Sequence, residues 1–82
     1  TQKDLTRIKE TFNRTEINCL INVKTIHLGP NDILVTAKID VKSEYEAQAP
    51  QLVNDIEKNM RAAFPEYKIY IYIETDKYKE DY

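Results

Sequence analysis

The sequence has no tryptophan and only one each of cysteine, histidine and glycine, and each scarcity removes a class of function. One glycine cannot build the glycine-rich loop that cradles phosphates. One cysteine, Cys19, cannot close an internal disulfide, and it reads as a small apolar thiol buried at the entrance of a strand. The single His27 lies on the same strand as Cys19 but well separated from it, which is no arrangement for a nucleophile and its base. No catalytic motif is present, so the chain is expected not to be an enzyme. No apolar run approaches the ~18 residues of a membrane helix, and no signal peptide is recognisable. The charge of one sign is missing too: 12 basic residues against 14 acidic ones leave no basic footprint for nucleic acid and no field to steer a ligand. The chain begins with Thr rather than Met, as would a piece of a longer protein or a chain whose initiating Met had been removed.

What is present is periodicity. The 82 residues suffice for one domain, and the chain centres on Val23 to Val41. Gly29-Pro30-Asn31-Asp32 is a turn signal, with a glycine that tolerates positive φ. After it Ile33, Val35, Ala37, Ile39 and Val41 alternate with Leu34, Thr36, Lys38 and Asp40, a strand with one buried and one wetter face. Before it Ile17 to Leu28 forms the partner strand, with Ile21, Val23 and Thr25 inward. Ile26 and Leu28 fall on the other parity, so part of that face is expected to be covered as well.

Leu5, Ile8 and Phe12 mark one stripe of a short amphipathic helix over residues 1 to about 13. A second helix should begin near Glu46 to Ala49, since Pro50 is tolerated only in a first turn. Ser43 is a candidate cap for a helical start in the Lys42 to Gln48 connection. Leu52, Val53, Ile56, Met60 and Ala63 then share one face, and Pro65 stops the helix after Phe64. Tyr67 to Glu74 alternates again, with Ile69, Ile71 and Ile73 inward and Lys68, Tyr70, Tyr72 and Glu74 outward. Residues 76–82 have no apolar period and read as a flexible tail.

The order αββαβ implies an α+β, two-layer ferredoxin-like sandwich: a three-stranded mixed sheet with two helices on one face. The last strand, reached by a helical crossover, is expected to run parallel to the first. The uncovered face would carry Lys38, Tyr70, Tyr72 and Glu74, the candidate surface for self-association. Metal ligands are sparse. His27, Glu74 and Asp76 are weak candidates, and Glu44 and Glu46 could meet acidic residues of the tail, but three or four convergent ligands are needed.

Four segments, VKTIHLGP, ILVTAKIDV, NDIEKNMRAAFP and IYIYIET, resemble the cytoplasmic C-terminal domain of cation diffusion facilitators, the exporters of zinc and other divalent cations. The resemblance covers roughly residues 17 to 75. It implies that residues 1–75 are a homodimerising regulatory domain at the cytoplasmic face of the cell membrane. The membrane part that would exchange the cation for protons lies outside this sequence. The resemblance also implies a zinc site between paired domains, and here the residues depart from it. Lys38 and Tyr72 stand where the zinc-binding members have histidines. Two further histidine positions fall among Ala49, Pro50 and Gln51 and near Ile21 or Asn22. Glu74 alone keeps its expected character, and the Lys38 ammonium would repel a divalent cation. The implied state is therefore a dimer that requires no cofactor and binds zinc or another divalent cation weakly if at all, with Lys38 and Glu74 in polar contact where metal would sit. The competing reading is a free-standing ferredoxin-like module that binds a small molecule. The two readings differ in whether the full gene places about six membrane helices before Thr1.

Overall fold

A computed structural model describes residues 2–81, with Gln2 described by its backbone only. Its elements are helix α1 (Gln2–Glu10), strand β1 (Ile17–Gly29), strand β2 (Asp32–Val41), a 3-10 segment (Ser43–Gln48), helix α2 (Ala49–Ala63) and strand β3 (Lys68–Thr75). The αββαβ order, the three-stranded mixed sheet and the two helices are those expected.

The strand order is not. β2 lies in the centre, antiparallel to β1 and parallel to β3, so β3 pairs with the second strand rather than the first. The physical reason lies in the faces each strand buries. In β2 the inward residues Ile33, Val35, Ala37 and Ile39 are all nearly inaccessible, and Asp40 and Val41 are buried as well. In β1 only Ile17 is fully buried. A strand flanked on both sides suits the more apolar segment, and the wetter one goes to an edge.

The hairpin corrects three further expectations. The turn closes without a positive φ at Gly29, so the glycine's special freedom is unused there. The β1 ladder also slips between Leu20 and Asn22. That bulge places an extra residue in one strand, so Leu20 pairs with Ile39 and packs against the core together with Val23, and Ile21 falls in the slip between the two registers. Ile26 and Leu28, expected to be covered in part, are 51% and 56% exposed.

One core sits between the helices and the inward face of the sheet. Ile8 and Phe12 come from α1 and its following turn, Leu52, Ile56, Met60 and Phe64 from α2 and its end, and Ile33, Val35, Ile39, Ile69 and Ile71 from the sheet. α1 ends at Glu10, yet Phe12 keeps its place because its amide donates to Lys9 O at 3.0 Å in a final turn. Burying each large apolar side chain of α2 stabilises the domain by about 1.5–3 kcal/mol. The two helices are joined directly: Arg7 donates to Ala63 O and its guanidinium lies 4.3 Å from the centre of the Phe64 ring.

Pro50 occupies the first turn of α2, as the sequence requires, and Phe64 closes the helix with its amide bonded to Arg61 O. The 3-10 segment is preceded by Lys42 and has no side-chain cap, so Ser43 does not serve as one. Beyond Thr75 the chain stays attached: Asp76 N donates to Ile39 O at 2.9 Å, Lys77 Nζ to Val41 O at 3.0 Å and Tyr78 N to Asp40 Oδ2 at 3.0 Å. The start of the aperiodic tail thus continues the edge of β2.

Candidate functional site

Neither helix lies on the outward face of the sheet, and the ladder register orders that face into rows. Ile26, Leu34 and Tyr70 stand abreast nearest the hairpin turn. Lys24, Thr36 and Tyr72 form the middle row, and Asn22, Lys38 and Glu74 form the next. Leu28 extends the apolar end toward the turn. Tyr70 is 36% and Tyr72 66% exposed, and the Lys68 ammonium rests 5.3 Å from the Tyr70 ring centre. All four candidates for self-association, Lys38, Tyr70, Tyr72 and Glu74, are therefore on one surface. Ile26, Leu28 and Leu34 belong to the same surface. Parity placed Leu34 on this wetter face; for Ile26 and Leu28 the same parity suggested partial coverage, whereas both are exposed.

At the charged end Lys38 Nζ lies 3.5 Å from Glu74 Oε2 and 3.7 Å from Asp76 Oδ2. The alternation puts Lys38 and Glu74 opposite each other across the parallel β2–β3 ladder, and the continuation past Thr75 brings Asp76 to the same ammonium. Two of the three weak metal candidates are therefore neighbours, with a cation between them supplied by the chain. The third is elsewhere. His27 pairs with Ile33 and meets Tyr67 edge-on at 6.5 Å between ring centres, five residues up β2 from Lys38, or roughly 16 Å at strand rise. Among the described residues no three His, Cys, Asp or Glu side chains are grouped to hold a metal ion.

A second polar cluster, not foreseen from the sequence, closes the far end of the sheet. Asp40, 8% exposed, accepts hydrogen bonds from the Tyr78 amide and, at 3.4 Å, from Asn18 Nδ2. The Lys77 ammonium lies 3.7 Å from the Asp40 carboxylate and 2.8 Å from Glu46. The Tyr78 N–H, ahead of Asn18 and Lys77, holds the Asp40 carboxyl below the ordinary carboxylate range against the opposing effect of burial. Lys77 is held above its ordinary value chiefly by Glu46. Alternation placed Asp40 correctly on the outward side. What it could not show is that the tail folds back over it.

No helix of the described residues is long and apolar enough to cross a membrane. No protein-family model matches the chain, and no curated protein matches it in sequence. Solved structures do match in shape. The MamM C-terminal domain in a nickel form superposes with a TM-score of 0.77 at 15% identity, covering 96% of this chain and 100% of that one. A manganese form gives 0.75 at 16% identity over 94% and 98%. A zinc form gives 0.76 at 14% identity over 99% and 89%. MamM is a cation diffusion facilitator, and over nearly its whole length this chain has the fold of that transporter's C-terminal domain.

Proposed function

We propose that the chain is the cytoplasmic dimerisation and regulatory domain of a divalent-cation efflux transporter, zinc being the leading candidate for the cation, with proton coupling residing in a membrane part outside this sequence. The observation that carries this reading is the superposition of αββαβ elements along essentially the full length of both chains. A domain of this kind acts by holding two transporter halves at a set distance, and it performs no catalysis itself.

The Lys38 ammonium between Glu74 and Asp76 supports a pairing that needs no bound metal. A fixed positive charge already neutralises part of the local carboxylate charge, and it raises the energy of any divalent cation placed beside it. MamM domains have been obtained in nickel, manganese, zinc and cadmium forms, whereas in this chain metal would be a weak ligand only.

Sedimentation equilibrium of the chain, first with chelator and then with excess zinc, tests the proposal. The expected result is a dimer in both conditions. A monomer that dimerises only with zinc would overturn the metal-independent part, and a monomer throughout would overturn the pairing itself.

A further inference from the structure

Where the tail leaves β3 it ties the two layers of the domain to each other. Asp76 keeps the outward parity of Glu74, and its carboxylate lies 3.7 Å from the Lys38 ammonium. Lys77, on the opposite parity, reaches the helical layer. Its ammonium lies 2.8 Å from a Glu46 carboxylate oxygen in the 3-10 segment and donates to Val41 O at 3.0 Å. The Tyr78 amide then closes on the buried Asp40 carboxylate at 3.0 Å.

What Lys77 holds is lightly anchored. The 3-10 segment buries none of its residues and has no side-chain cap, and 3-10 hydrogen bonds are poorer in geometry than α-helical ones. Tyr45 packs against the core from this segment, but a cavity of about 300 Å³ lined by Val41, Glu46, Ala49 and Thr75 lies beside the tail. The segment can therefore shift without opening the core. On the other layer Lys38 is shared between Asp76 and Glu74, so a carboxylate brought to that ammonium from outside competes with Asp76 for it.

We propose that Asp76–Tyr78 is a strap that couples the two layers. A partner on the outward face that draws the Lys38 ammonium away from Asp76 loosens the strap, and with it the Lys77–Glu46 tie that steadies the entrance to α2. The coupling is reciprocal: losing the Glu46 tie weakens the hold of Asp76 on Lys38. This goes beyond the function proposed above and holds for any occupant of the face that engages Lys38.

The test is amide exchange by NMR on the 15N-labelled chain, at one protein concentration, for wild type, Asp76→Asn and Glu46→Gln. The helical layer is reported by the Tyr45 amide, bonded to Lys42 O, and the Ala49 amide, bonded to Glu46 O. The tail is reported by the Asp76 amide on Ile39 O and the Tyr78 amide on Asp40. Asp76→Asn keeps the side-chain oxygen that accepts from the Lys77 amide and removes the charge beside Lys38. It should nevertheless speed exchange at Tyr45 and Ala49 by about two- to fivefold, the size that partly exposed ion pairs allow. Glu46→Gln should speed exchange at Asp76 and Tyr78 by a similar factor, with Val35 and Ile71 in the middle of the sheet unchanged in both variants.

Changes confined to the substituted layer would overturn the coupling. An equal rise throughout the sheet would overturn it too, because the tail would then open only with the whole domain. Neither outcome bears on the dimer reading, which sedimentation decides separately.

Discussion

Asp40 offers a demanding check on these interactions, because its expected contribution has a sign, a size and a pH window. The carboxylate is 8% exposed and accepts from the Tyr78 amide at 3.0 Å and from Asn18 at 3.4 Å. A hydrogen bond to a charged group contributes about 1.5–3 kcal/mol, and the longer second bond less. The half-exposed Lys77 ammonium at 3.7 Å adds little, because water screens it. Asp40→Asn keeps an acceptor and loses the charge, so it should cost about 1–2 kcal/mol at pH 7. Asp40→Ala also orphans the Tyr78 amide and should cost about 2–3 kcal/mol. For a domain of this size 1 kcal/mol moves Tm by about 4–8 °C, so the asparagine variant should melt roughly 5–15 °C below wild type.

The sign with pH follows from the direction of the Asp40 shift. Its folded pKa is lowered, so the stabilisation is complete above the ordinary aspartate value near ~3.9 and is lost as pH falls through the lower folded value. Urea unfolding of wild type and Asp40→Asn at one fixed protein concentration, from pH 7 down to pH 2, should therefore show a gap that closes at the acid end. Equal stabilities at pH 7 would refute the reasoning. A gap that persists undiminished at pH 2 would do so as well, because it would assign the loss to shape rather than charge.

Two other substitutions separate backbone from core effects. Gly29→Ala should be tolerated and stabilise the domain by about 0.4–1 kcal/mol through the unfolded chain, because Gly29 does not use a positive φ and an added Cβ meets only Asp32 Oδ2 at 3.9 Å. A measurable loss of stability in chemical denaturation would contradict that account of the turn. Phe64→Ala, at a site 1% exposed beneath Arg7, should cost about 3–5 kcal/mol and free α1 first. Amide exchange in Gln2–Glu10 that rises no more than exchange in the sheet would argue against the Arg7 junction as the anchor of that helix.

The elements of the fold were legible because each is written in local periodicity. Alternation located β2 and β3 to within a residue or two, and Pro50 and Pro65 fenced α2. Sheet order was not legible, because periodicity says which face a strand buries and nothing about its neighbour. Ile21 was assigned inward because a two-residue period has no means of announcing the slip between Leu20 and Asn22. The candidate surface divides in the same way. Lys38, Tyr70, Tyr72 and Glu74 follow from parity. The contact of Asp76 with Lys38 and of Tyr78 with Asp40 depends on a tail held by single hydrogen bonds and charges, and such contacts leave no repeating trace.

The central position of β2 has a kinetic consequence. Its pairing with β1 closes over a short hairpin, while its pairing with β3 waits for a segment that arrives only after the 3-10 segment and α2. Loop closure favours the near partner, so the chain should pass through a stage in which the hairpin is formed and the other edge of β2 is bare. That edge runs through Ile33, Val35 and Ile39, β-branched residues suited to recruiting a foreign strand. β3 is thus the cover that keeps the central strand from templating aggregation, and conditions that loosen β3 alone should turn a folding domain into a sticky one.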